Sequence, residues 1–134
     1  MRLVFVDTGA LYALADRTDQ AHLRARAFHE ASNGAYLTTD FVLAETMSLI
    51  TKRVGKKHAV RFGDALRSSP RFRIEDASPE IRQVAWKEFA SRLDKDHDLI
   101  DCISFAMMEA FEVSEVFGFD RHFAQRGFKL VPGK

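Results

Sequence analysis

The sequence predicts an α/β protein with three layers, α/β/α, around a central parallel sheet of four or five strands. Three observations carry that expectation. The opening Leu3–Val6 is a continuous, partly β-branched apolar run, which is how a strand buried on both faces of a parallel sheet reads. Further short apolar runs are separated by stretches of helical periodicity, and parallel neighbours need crossover helices to join them. Two of the runs stop at an aspartate, Asp7 and Asp120, and in an open parallel sheet the ligand crevice lies beyond the carboxyl ends of the strands.

After Leu3–Val6 the chain turns at Asp7 and Thr8, either of which can cap a short helical stretch through Leu11–Leu14. Residues Asp19–Ser32, rich in Ala and Arg, read as a helix closed by Asn33-Gly34. Ala35–Leu37 is a second short strand. From Asp40 onward Leu43, Met47, Ile50 and Val54 recur at helical spacing until Gly55 ends the pattern. Lys56–Ser68 reads as another helix, broken by Pro70, and Phe72–Ile74 as a third strand. Ser78-Pro79-Glu80 has the cap-then-proline order of a helix start for Ile81–Arg92. A polar turn from Asp94 to Asp98 precedes a helix through Ile103, Phe105, Met107 and Phe111, apolar on too many sides for a surface position and so expected at the centre. Val113–Phe119 is a fourth strand ending at Asp120, and Phe128–Val131 a fifth after Gly127. Phe5, Phe105, Phe111, Phe117 and Trp86 are expected in the core.

Composition bounds the answer. The 134 residues fit one ordinary domain, and 46% hydrophobic with 29% charged residues is a globular balance. Twenty Lys and Arg against nineteen Asp and Glu leave a net charge of +1, so any nucleic-acid surface must be a local patch. Cys102 is the only cysteine, which excludes an internal disulfide and a multi-thiolate zinc site. The apolar run at the amino terminus is too short for a secretory segment, and no stretch approaches the roughly 20 apolar residues of a membrane span. A cytoplasmic location without membrane attachment is the expectation.

The chemistry gathers on carboxylates. Asp7 and Asp120 share one sheet edge, Glu45 interrupts a helix among Phe41, Val42 and Leu49, and Asp101 sits in the first turn of the apolar helix. Each acid alone has a plainer explanation: a helix cap for Asp7, a solvated or salt-bridged position for Glu45, the helix dipole for Asp101 and a turn for Asp120. Together, four carboxylates near one cavity repel one another, and divalent cations remove the repulsion. An all-oxygen donor set suits Mg2+ or Mn2+. Such ions activate water and steady a phosphodiester, and a pair about 3.5 to 4 Å apart supports both the attacking and the leaving oxygen. Phosphodiester hydrolysis is the reaction class that follows.

Four ordered blocks carry a family likeness: Val4-Phe5-Val6-Asp7-Thr8-Gly9-Ala10, Leu43-Ala44-Glu45-Thr46, Leu99-Ile100-Asp101-Cys102-Ile103-Ser104-Phe105, and Gly118-Phe119-Asp120-Arg121-His122-Phe123 followed by Gly127-Phe128. On these the chain resembles the PIN-domain family and, within it, the VapC-like toxins of bacterial and archaeal toxin–antitoxin pairs. The resemblance implies a PIN-like fold, a single nuclease domain over residues 1–134, and an Mg2+- or Mn2+-dependent endoribonuclease that leaves a 5'-phosphate and a 3'-hydroxyl. It also implies an RNA substrate, an antitoxin protein partner and a homodimer. It assigns catalysis and metal binding to Asp7, Glu45, Asp101 and Asp120, with the family hydroxyl at Thr8. Two positions depart from the usual pattern, with Asp98 where many relatives have Ser and Gly118 where many have Thr or Ser. Asp98 can still cap its helix and can tune or enlarge the acidic cluster, whereas Gly118 forgoes a hydroxyl.

Among the remaining features, Lys52, Arg53, Lys56, Lys57 and Arg61, with Arg67, Arg71 and Arg73 beyond, form the densest basic stretch. It reads as a solvated face or as a track for an RNA backbone. His97 and His122 lie beside the acids and are candidates for substrate binding or proton movement. Cys102 is read as a core residue, and Tyr12 and Phe41 as core residues near the mouth that could instead stack a base. Three rival functions remain: an Asp-nucleophile phosphotransfer domain, a catalytically silent binding module of the same fold, and an RNA-processing nuclease outside any toxin pair. The first lacks a second Asp two positions after Asp7, and neither spaced glycines nor a Gly-Lys-Ser/Thr loop points to nucleotide binding.

Overall fold

The computed structural model describes residues 2–133. In chain order the elements are β1 (Leu3–Val6), α1 (Thr8–Ala15), α2 (His22–Ala31), β2 (Ala35–Thr39), α3 (Asp40–Arg53), α4 (Lys56–Ser68), β3 (Phe72–Glu75), α5 (Pro79–Ser91), α6 (Leu99–Ala110), β4 (Glu115–Phe117), α7 (Arg121–Gln125) and β5 (Lys129–Val131). The five strands form one sheet in the order β3-β2-β1-β4-β5, and every neighbouring pair is parallel. The expected parallel sheet with flanking helices is therefore present, with the first strand at its centre.

Helix entries follow the sequence signals. The Thr39 hydroxyl accepts the Val42 N–H at 3.0 Å to open α3, and the Ser78 hydroxyl accepts the Ile81 N–H at 3.1 Å to open α5. Asp98 and Asp101 form a reciprocal capping box on α6: the Asp101 N–H donates to Asp98 at 2.7 Å and the Asp98 N–H to Asp101 at 3.2 Å.

The core lies on both faces of the sheet around Phe5, Tyr36, Phe105, Phe117 and Phe123, all fully buried. Every residue of α6 from Asp101 to Met108 is buried, so this helix is central as expected. Trp86 departs from expectation, being 53% exposed. Only Ala85 of α5 is fully buried, and Trp86 lies instead on the outer surface against Phe89, with ring centroids 5.6 Å apart. Phe111 is half-buried beneath the Arg73 guanidinium.

Other boundaries moved for local reasons. The Asp19 carboxylate accepts the Ala21 N–H in a turn, which delays α2 to His22. Gly34 does not close that helix. A Cβ there would stand 2.8 Å from the Arg2 carbonyl oxygen, so glycine lets two backbones approach. The fourth strand is shorter than Val113–Phe119, because the Val113 N–H is taken by the Met108 carbonyl (2.8 Å) as α6 ends through Glu112 at φ 55. At its other end the chain turns at Asp120 into α7, which the sequence pattern did not announce. Among the described residues no helix is long and apolar enough to cross a membrane.

Candidate active site

Strand β1 delivers Asp7 to the carboxyl edge of the sheet, where its N–H donates to the Phe117 carbonyl at 3.0 Å and ties β1 to β4. Alongside, the Thr38 hydroxyl donates to the Val6 carbonyl at 2.8 Å and fixes β2 against the same edge. Asp7 occupies the cap position of α1, yet its side chain makes no capping bond; the backbone carbonyl accepts from Ala10 and Leu11 instead. The buried carboxylate is therefore left facing other groups. Burial pushes the Asp7 carboxyl up to about 7, against the pull of the Thr8 backbone N–H, and the charges of Asp101, Asp120 and Glu45 push the same way. The four predicted acids thus come together from β1, α3, α6 and the loop after β4.

Their immediate partners differ. The buried Thr8 hydroxyl donates to Glu45 at 2.5 Å, joining α1 to α3 across the pocket. Glu45 is half-buried rather than enclosed by apolar side chains, so a partner hydroxyl and water share its charge. Burial, followed by the charge of Asp98, raises the Asp101 carboxyl to about 6. Asp98 itself is exposed and engaged in capping α6. Asp120 accepts the His122 N–H at 2.9 Å.

His122 enters this group more closely than its sequence position announced. Its Nδ1 lies 3.2 Å from Asp101 Oδ2 and 3.4 Å from Asp120 Oδ1. Asp101, Asp120 and His122 each offer a donor atom within 4.8 Å of the others, a set able to hold a metal ion, and Asp7 and Glu45 are not part of it. The signal in the sequence was the two-residue step from Asp120 to His122 across the start of α7. His97 is also buried, its ring centroid 5.1 Å from those of both Phe105 and His122, with Nε2 lacking a hydrogen-bond partner. Gly118 packs directly against the pocket: a Cβ there would meet the Asp7 Cβ at 3.2 Å, so a hydroxyl-bearing residue would press on Asp7.

Cys102 is buried and its thiol is pushed up to about 11 by burial, so it is a core residue on the helix that carries Asp101. The basic stretch divides. Lys52, Lys56, Lys57, Arg61 and Arg67 are exposed, whereas Arg71 donates to the Gly34 and Ser32 carbonyls and Arg73 pairs with Glu75.

A family model described as PIN domain matches residues 4–129. The chain belongs to the PIN-domain family. This PIN domain is 29% identical, over 129 residues, to the 23S rRNA-specific endonuclease VapC20 of Mycobacterium tuberculosis, covering 96% of the chain and 98% of that protein. The crystal structure of the same VapC20, described as a sarcin–ricin loop cleaving toxin, superposes with a TM-score of 0.88 at 28% identity, over 93% of this chain and 95% of that one. Two more distant structures share the fold. VapBC2 from Rickettsia felis, bound to a fragment of promoter DNA, has a TM-score of 0.69 at 16% identity with 96% of each chain covered. FitAcB from Neisseria gonorrhoeae has a TM-score of 0.71 at 15% identity with 95% of each covered.

Proposed function

We propose that this PIN domain is a metal-dependent endoribonuclease, the toxin member of a toxin–antitoxin pair, with residues 1–134 acting as one nuclease domain. The observation that supports it most is the gathering of Asp7, Glu45, Asp101 and Asp120 at one sheet edge, where burial and mutual charge push Asp7 and Asp101 toward neutrality. A divalent cation relieves that cost, and the carboxylate oxygens fit one: hard oxygen donors from Asp101 and Asp120, with the charges of Asp7 and Glu45 beside them, suit Mg2+ or Mn2+. Similarity to a protein described as a 23S rRNA-specific endonuclease supplies the substrate class.

In this reading Asp7, Glu45, Asp101 and Asp120 would hold the ion between them. When bound, the ion supplies an acidified water and Lewis-acid polarisation of the phosphodiester. Thr8 fixes the Glu45 carboxylate by its hydrogen bond, and the His122 Nδ1, set between the Asp101 and Asp120 carboxylates, braces the two against each other. Water oxygen bonds to phosphorus while the bond to the 3'-oxygen breaks, leaving a 5'-phosphate and a 3'-hydroxyl. The same reading places the protein in the cytoplasm as a homodimer, silenced by an antitoxin segment laid across the acids.

The test is incubation of antitoxin-free protein with single-stranded RNA, and with an rRNA transcript carrying the sarcin–ricin loop, in Mg2+ or Mn2+. We expect cleavage that a chelator stops and that Asp7→Asn nearly abolishes. Equal cleavage by wild type and Asp7→Asn would overturn the proposal.

A further inference from the structure

Beside the acids lies a second feature that metal chemistry does not use. A cavity of about 290 Å³ is walled by Gly9, Tyr12, Gln20, Leu49, Arg53 and Phe119. Three of its walls belong to the segments that carry the carboxylates: Gly9 stands two residues after Asp7, Leu49 one helical turn after Glu45, and Phe119 directly before Asp120. The cavity therefore borders the segments that carry the acids. Its size is at the small end of ligand pockets, enough for one compact group.

The lining differs from the acidic pocket in mixing apolar walls with one cation, Arg53, and one carboxylate, Asp19. Leu49 and Phe119 give apolar walls, and Gln20 is exposed with an amide that both donates and accepts. The Asp19 carboxylate, part of the wall, accepts the Ala21 N–H at 3.0 Å. Arg53 lies with its guanidinium 5.0 Å over the Tyr12 ring, and among the described residues no carboxylate comes within 4.0 Å of it. A second guanidinium, that of Arg24, stands 5.1 Å from the centroid of the Phe119 ring. A cation without an acidic partner, held by an aromatic ring beside a carboxylate cluster, is a position for an anion that the cluster itself would repel.

We propose that this cavity is a subsite for one unpaired nucleotide of the RNA, flanking the phosphodiester that is cut. Its base packs against Leu49 and Phe119 with an edge toward Gln20, and its phosphate faces Arg53. Single-stranded recognition of this kind combines ring contact with a cation on the backbone. The assignment rests on the nuclease reading for its role in cleavage, but not for its ability to bind RNA.

Gly9 offers a way to fill the cavity without touching the acids, because a Cβ there would meet nothing within 4 Å. The experiment compares wild type, Gly9→Leu and Arg53→Gln on two substrates, a single-stranded oligoribonucleotide and bis(p-nitrophenyl) phosphate, which has no flanking nucleotide. In parallel, fluorescence anisotropy follows binding of the labelled oligonucleotide in an Asp7→Asn background, with melting curves to confirm folding. We expect the ratio of kcat/KM for RNA to that for the small ester to fall about tenfold or more in both variants, with a matching loss of RNA affinity. Cleavage by wild type with both the ratio and the affinity unchanged in the variants would overturn the subsite and leave the nuclease reading intact. No cleavage by any protein, with RNA affinity still lost in both variants, would support the subsite and overturn the nuclease reading.

Discussion

Replacing Asp7 by Asn preserves shape and removes one charge from the pocket, so it should stabilise the metal-free protein at alkaline pH. In the folded chain, burial first and the charges of Asp101, Asp120 and Glu45 after it raise this carboxyl from 3.8 to about 7. The folded state therefore holds the proton more tightly than the unfolded state does. Stability from that proton is fully present below about pH 3.8 and is lost as the pH rises to about 7. At about 1.36 kcal/mol for each pH unit across that window, the ionised carboxylate costs about 4 kcal/mol. Urea unfolding in chelator at pH 5 and pH 8 reads about 3 kcal/mol of it, the part lost between pH 5 and about 7. Wild-type stability should fall more steeply between the two than that of Asp7→Asn, by about the slope of one proton. Adding Mn2+ at pH 8 should recover the loss in wild type and do much less for the variant. Parallel curves for the two proteins in chelator would refute the reasoning, since the carboxylate would then be comfortable without a cation.

Four other perturbations probe the frame and the surface. Gly34→Ala places a methyl 2.8 Å from the Arg2 carbonyl and should lower the urea midpoint by roughly 1–3 kcal/mol of stability. Cys102 should resist a thiol reagent at pH 8 in the folded protein and react fully in denaturant, because the thiol is buried and held near 11. Arg126→Met strips the hydrogen bonds that Arg126 donates to Glu88 (2.9 and 3.0 Å) and Glu109 (2.6 Å), with a loss of roughly 1.5–3 kcal/mol in the same unfolding assay. Charge reversal at Lys56 and Lys57 should weaken RNA binding and make its salt slope shallower by roughly 0.7 per lost contact; unchanged affinity and slope would return both to a solvated face.

The sheet was legible because buried parallel strands have no solvated side to interrupt them: Leu3–Val6 and Val116–Phe117 are apolar throughout. Helix starts at Pro79 and Leu99 were legible because a cap is a local bond written in adjacent residues, and the helix from Asp40 because its apolar residues recur at helical spacing. Trp86 was misplaced because side-chain size says nothing about which face of α5 meets α6. The helix α7 was missed because five residues are too few for a periodic signal. At the site, the acids were marked by strand ends and by family blocks, while the bridging position of His122 and the unpartnered Nε2 of His97 arise from packing between α6 and α7. Nothing local encodes that meeting.

Placing β1 between β2 and β4 has a consequence for how the protein is made. Its first strand emerges from the ribosome long before the partner that flanks it on one side, and Asp120 follows later still. A nascent chain interrupted before β4 would carry three of the five strands and an incomplete set of acids. Whatever this pocket does to RNA is thereby withheld during synthesis, and a protease cut that releases β4 would disarm it just as completely.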